Sequence, residues 1–254
     1  MTNVVLLTYK TRLLLTVIVH LAVYVLGTNV SWALRKPMPG RFGRAVAFVR
    51  LWSSRLLLDE MVRLAYYLAA PYLVLQHGWA SPLDFGLTNL DWIGNIGVGS
   101  ALGLGSLSLL VLIWWHYRRW VADQPMMRQA EWLDQPWGWA FVLREALLLE
   151  CWWAFCRSPM LLWVGGYLGV YLGLVAVAGA TLLNARVRYG LGTPGLREEI
   201  VLTASLAMVS ATVYVFVHNL WLCIAVHSLL RLTVLHLVRG GMKRRTIRSA
   251  QANS

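Results

Sequence analysis

Two glutamates and an arginine stand in a run otherwise apolar enough to cross a bilayer: Arg144-Glu145-Ala-Leu-Leu-Leu-Glu150-Cys-Trp-Trp-Ala-Phe-Cys-Arg157-Ser-Pro159. A charge at bilayer depth costs about 2.5–3.5 kcal/mol on insertion scales, so a chain keeps one that is paired, faces a helix bundle or does chemistry. Such carboxylates serve as general acids and bases, as metal ligands or as counter-charges. Glu145 and Glu150 are five residues apart. That spacing separates them by about 140° around a helix, so they do not share a face. Glu150 and Arg157 are seven apart and do share one, which favours a structural ion pair.

The second set is histidine. His218, His227 and His236 are spaced by nine residues, which puts His218 and His236 on one helix face and His227 on the other. His218 falls in a turn. His227 lies among apolar residues, and Arg231, one turn later, is a second buried charge whose natural partner is Glu150 or Glu145. His20 and His116 lie within or at the ends of other apolar runs and are of the type that ligates a metal or a chlorophyll-type magnesium. The chain has no HExxH, no GxSxG and no phosphate-binding loop, so a soluble-style catalytic site is not supported. Cys151, Cys156 and Cys223 all lie in apolar runs, an odd number with no CxxC pair, and read as packing residues rather than a disulfide or zinc framework.

Together the two segments resemble the CAAX-protease and bacteriocin-processing (CPBP) family of intramembrane metalloproteases. That family carries a Glu-Glu pair followed by Arg in one transmembrane helix, and Arg144-Glu145 with Glu150-x-x-Trp153-Ala154-Phe155-Cys156-Arg157 is similar to part of it. Its last motif, Asn-Leu-Trp-x-x-Ile-x-x-His, is matched by Asn219-Leu220-Trp221-Leu222-Cys223-Ile224-Ala225-Val226-His227. The resemblance covers about 100 residues, from Trp139 to His236, and implies a four-helix membrane bundle. The motifs are degenerate. Leu149 stands where the second glutamate of the pair would be, Arg231 stands where the family has a small polar residue, and residues 160–217 contain no histidine for the family's middle motif. A metalloprotease of this type needs at least two imidazoles and a carboxylate around one ion. If the chain is active, Glu145, Glu150 and His227 carry catalysis and zinc is the cofactor, with His218 and His227 as its imidazole ligands. The expected outcome is otherwise: a retained fold without the chemistry and without a required cofactor, with Glu150, Arg157 and Arg231 forming a structural ion-pair network.

These residues are carried by a chain of 254 residues, 58% hydrophobic and 13% charged, against about a quarter charged in soluble domains. An all-α polytopic membrane bundle is expected, with seven spans at roughly 10–28, 59–77, 96–117, 138–156, 160–183, 199–217 and 220–238. Tight turns are expected at Arg157-Ser158-Pro159 and His218-Asn219. The run Leu13–Leu26 lacks a small-x-small cleavage site and reads as a first span rather than a signal peptide. The sequence divides into an N-terminal membrane segment (1–135), the CPBP-like bundle (136–240) and a basic, unstructured tail (241–254).

The net charge of +12 does not point to nucleic acid, because the cations sit between the apolar runs. Placing them in the cytoplasm puts the N-terminus outside and the C-terminus inside. Lys10 and Arg12 oppose this mildly, and a six-span version with an inside N-terminus remains open. Glu145, beside Arg144, falls at the cytoplasmic interface. From Arg41 to Arg63 arginines alternate with Phe42, Val46, Val49, Leu56 and Leu57, which suits either an interfacial helix on anionic headgroups or a plain basic loop. Fourteen tryptophans gather near helix ends as an aromatic belt. Gly99 and Gly103, and Gly165, Gly169 and Gly173, recur at every fourth position and favour close helix packing.

The expected role is that of an accessory, assembly or scaffolding subunit of a larger complex in the cytoplasmic membrane, with other membrane subunits as partners and a lipid, quinone or pigment as occupant of a pocket between helices. A respiratory or photosynthetic complex fits the aromatic and histidine content. The alternative is an active intramembrane metalloprotease with a rearranged site. A small transporter is a weaker third reading, since polar residues beyond Ser and Gly are almost absent from the third and fifth expected spans.

Overall fold

The computed structural model describes residues 2–36, 40, 43–44, 46–48, 58–88, 91–120 and 127–252. Among them every regular element is helical. The helices are α1 (Thr2–Leu34), α2 (Leu58–Gln76), α3 (Trp92–Trp120), a 3-10 helix (Arg128–Asp134), α4 (Gly138–Val164), α5 (Gly166–Leu182), α6 (Ala185–Leu191), α7 (Leu196–Val217) and α8 (Leu220–Ala252). The chain is an α-helical, multi-pass membrane protein. Among the described residues five helices are long and apolar enough to span a bilayer: α1, α3, α4, α7 and α8. The pair α5 and α6, bent by 85° at the break between them, would be a sixth.

Among the described residues the expected spans differ in two places. The second expected span is a helix, α2, but its first turns carry Asp59, Glu60 and Arg63, and it is not in the spanning set. The turn expected at Arg157-Ser158-Pro159 is absent; α4 runs straight through it to Val164. Proline has no N–H for the carbonyl four residues back, which is that of Phe155. The Ser158 hydroxyl donates to that carbonyl at 2.8 Å, so the lost backbone bond is replaced where no water could replace it. The chain reverses only at Gly165, whose φ of +85° favours glycine. The turn at His218-Asn219 is present: His218 ends α7 in the left-handed conformation, and the Asn219 Oδ1 accepts from the Leu222 N–H at 3.2 Å. The tail expected to be unstructured continues α8 as a helix as far as Ala252. The arginine-rich stretch between Arg41 and Arg63 lies largely outside the described residues.

Two compact units interleave in the sequence, one of residues 1–85 and 151–189, the other of 86–150 and 190–254. In the first, α1 packs on α5, and the second half of α4 forms a hairpin with α5. A Cβ on Gly169 would stand 2.7 Å from the Met160 carbonyl oxygen, and one on Gly173 would stand 2.5 Å from the Arg157 Cα. Their hydrogens are what let the two backbones meet. Gly165 makes no such approach, having nothing within 4 Å; it is the hinge of the hairpin.

In the second unit, α3, α7, α8 and the 3-10 helix enclose a core of Leu110, Trp114, Met127, Ala130, Val142, Leu202, Leu206, Leu230, Val234 and Leu235. Gly99 and Gly103 face Leu222 and Val226 of α8, at 3.6 and 3.3 Å from where a Cβ would be. These are side-chain contacts, more forgiving than those of Gly169 and Gly173. The loop ahead of α3 is tied in at Gly86, whose carbonyl accepts from the Leu220 N–H at 2.9 Å.

Substituting Gly173→Val is expected to destabilise the protein by about 1–3 kcal/mol through overpacking against backbone. Gly103→Ala, which meets only the Val226 side chain, should cost distinctly less. Reversible unfolding of both variants in mixed micelles measures the difference, and equal losses would contradict the backbone contact.

Candidate functional site

Glu150 lies in the second unit, at a buried polar centre built from three helices. α4 contributes Glu150, α7 contributes Ser210 and α8 contributes His227, all at 2% exposure or less. The Ser210 hydroxyl donates to Glu150 Oε2 at 2.6 Å. His227 Nδ1 lies 2.9 Å from Glu150 Oε1. Cys223, one turn before His227 on the same face of α8, donates its thiol to the Ser210 carbonyl at 3.8 Å, closing the group with a weak bond. With the carboxylate ionised, Nδ1 of His227 is the donor, and the lone pair of a neutral ring then sits on Nε2. The Ser–Glu distance lies within the ordinary range for an O–H···O bond.

A polar tier lies in the same unit, where the 3-10 helix meets α7 and α8. Arg231 Nη2 donates to Gln129 Oε1 at 2.8 Å. The Gln129 backbone N–H donates to Glu199 Oε1 at 2.9 Å, and Tyr117 donates to Glu198 Oε1 at 3.0 Å. Arg239 pairs with Asp134 at 2.6 Å. Glu198 and Glu199 occupy the first turn of α7, where the helix dipole favours negative charge.

This arrangement differs from the expected ion-pair network. Glu150 is bonded by Ser210 and His227, and no ion pair between Glu150 and Arg231 is present among the described residues. Arg231 is fully buried but bonded to the neutral amide of Gln129. Arg157 belongs to the other unit, where its backbone lies against Gly173. Glu145 is buried, at 5% exposure, and the Arg144 guanidinium stands 5.4 Å from the Phe141 ring centre. His218 is fixed in the α7–α8 turn beside the Tyr214 ring, nine residues before His227. His236 Nδ1 bonds the Leu232 carbonyl of its own helix at 2.9 Å.

The donor set does not suit the zinc ion that the family resemblance implies. Such an ion wants three protein ligands or more, and no group of three or more His, Cys, Asp and Glu able to hold a metal is present among the described residues. Both Glu150 oxygens already accept from protein donors, and Arg231 brings a guanidinium one turn from His227. Chemically, the centre can cross-link three helices and hold one imidazole in a fixed orientation.

Ser210 is inconspicuous in the sequence because Ser205 and Thr212 nearby look the same in one dimension. Only the turn spacing of Cys223 and His227 hints that one face of α8 is polar. A second cluster, in the first unit, is equally illegible there. His20 stacks on Tyr66 at 3.9 Å and meets the Phe155 edge at 5.1 Å, while Trp152 packs against Tyr24 and Tyr67 at 5.0 and 5.2 Å. The Tyr66 hydroxyl donates to the His20 carbonyl.

No protein-family model, curated protein or solved structure matches the chain.

A double-mutant cycle of Glu150→Gln and His227→Gln tests the cross-link. Membrane-embedded hydrogen bonds couple by about 0.6 kcal/mol on average, and a charge-assisted pair is expected to exceed about 1.5 kcal/mol. Ser210→Ala should cost about 1–3 kcal/mol by leaving an acceptor without its donor. Additive single losses would show that Glu150 and His227 do not support each other.

Proposed function

We propose that this chain is a non-catalytic membrane protein with a degenerate CPBP-like bundle, acting as an accessory, assembly or scaffolding subunit of a larger complex in the cytoplasmic membrane. The observation that carries the reading is the closure of the Glu150 centre. A hydrolase presents its carboxylate to water or to an ion and aims its imidazole at the reacting group. Here the carboxylate is spent on a serine and a histidine of the same bundle. What remains chemically is rigidity, which suits a scaffold.

The outer faces support the subunit role. In α1 and α3 only 17% of the apolar stretch is buried, against 61% in α4. At Gly97 and Gly105 on α3 nothing lies within 4 Å of where a Cβ would stand, so a neighbouring helix could approach there closely. The basic segments lie on the cytoplasmic side in this reading, and the partners are other membrane subunits and anionic headgroups.

One observation favours the alternative, an active intramembrane metalloprotease. Glu150 and His227, from the two motif-like segments, meet at 2.9 Å although 77 residues separate them. That pairing is also what a carboxylate orienting a metal-bound or general-base histidine would look like.

Purification in mild detergent with metal analysis separates the two. The scaffold reading expects co-purification with other membrane subunits in fixed ratio, zinc far below one equivalent, and no peptidase activity that depends on Glu150. Stoichiometric zinc and a peptidase activity, both lost in Glu150→Ala, would replace it with the protease reading. A chain that purifies alone would remove the subunit role.

A further inference from the structure

An apolar groove runs along the outside of the first unit, between α1 and α5. Leu21, Ala22 and Val25 line one wall, Ala176, Ala180 and Leu183 the other, and the space between them is about 500 Å³. Asn29 closes one end. Its side chain is committed to the protein: Oδ1 accepts from the Ala185 N–H at 2.7 Å, and Nδ2 donates to the Leu183 carbonyl at 3.1 Å. These bonds fasten α1 to the elbow at which α6 turns away from α5 by 85°.

The chain that follows Asn29 on one side and Leu183 on the other is basic. Arg35 and Lys36 follow the last turn of α1, and Arg186 and Arg188 lie on α6; all four side chains are exposed. The two segments are neighbours, because the Trp32 and Tyr189 rings are 5.2 Å apart. Neither Gly27–Lys36 nor Leu182–Gly190 contains an acidic residue. Trp32 and Tyr189 are the residue types that sit at headgroup level. A hydrocarbon slot that opens beneath paired interfacial aromatics and four cations matches one kind of molecule in shape and in charge.

We propose that this groove is a binding site for a single anionic phospholipid. One acyl chain occupies the slot between α1 and α5, and the phosphate is held by one cation from each segment. Arg186 and Arg188 are two residues apart on α6 and do not share a face, so one of them, paired with Arg35 or Lys36, is the seat. The site is distinct from the Glu150 centre and stands whether or not the chain is a subunit of a complex. A lipid there would also glue α1, little buried by protein, to α5, in the way that small residues and bound lipid reinforce helix contacts.

Native mass spectrometry of the purified full-length protein, reconstituted in nanodiscs of phosphatidylcholine with a minor fraction of phosphatidylglycerol, tests this. The expected result is a single phosphatidylglycerol adduct that survives delipidation, while phosphatidylcholine does not. Neutralising the four cations together (R35Q, K36Q, R186Q and R188Q) should weaken phosphatidylglycerol retention at least about tenfold. Ala22→Phe, at an exposed position on the wall, should block the slot and abolish the adduct with the charges intact. An unchanged thermal unfolding midpoint checks that both variants fold, and Ala176→Leu is a milder filling variant should the first misfold. Equal retention of the zwitterionic lipid overturns the proposal, as does phosphatidylglycerol retention that survives filling of the groove, which would mean a diffuse charge effect at the surface.

Discussion

The bilayer core offers no water to a buried polar group. In a soluble protein a buried carboxylate can keep a solvent molecule, but inside a bilayer each polar group must find its complement in the chain. Glu150 is the severest case, an acid with no exposure at all, and its two oxygens dictate where α7 and α8 can lie. Ser210 and His227 must both reach it, so the three helices are fixed in rotation about their axes as well as in position. Apolar packing alone would not do this, since lipid tails solvate leucine as well as a neighbouring helix does. The same rule operates at Pro159, where Ser158 replaces the missing backbone donor, and at Arg231, which turns to a glutamine amide.

Glycine sets the second constraint, distance. The first unit brings α4 and α5 together at Gly169 and Gly173 so closely that a methyl group would collide with backbone. The second unit has no approach of that kind between α3 and α8, where the glycines meet side-chain tips. The two units thus hold their helices by different means: close backbone contact in one, a hydrogen-bonded polar centre with an apolar core in the other.

Much of this is legible in the sequence. The apolar runs and the low charged fraction point to the helical membrane class, and the Asn219 turn is marked by a polar pair between two apolar stretches. Pro159 misleads, because a proline beside an arginine and a serine looks like a turn, and whether Ser158 can take the freed carbonyl depends on its rotamer. The partner of Glu150 is hidden from any argument that matches charge to charge. Helical phase places Glu150 and Arg157 on one side of α4, yet phase within one helix says nothing about which face of a distant helix arrives. Ser210 is a weak signal in one dimension and a strong one only beside a buried acid.

The sequence separations at the Glu150 centre have a consequence in time. Ser210 is made 60 residues after Glu150, and His227 77 residues after it. At roughly 5–20 residues per second, α4 is complete for several seconds before either partner exists. During that interval the acid lacks both of the hydrogen bonds that it has in the folded protein, and holding it at bilayer depth without them is costly. The resting place of Glu150 is therefore an appointment kept late, and any delay in translating residues 151–227 lengthens the period in which the half-made protein is most exposed to quality control.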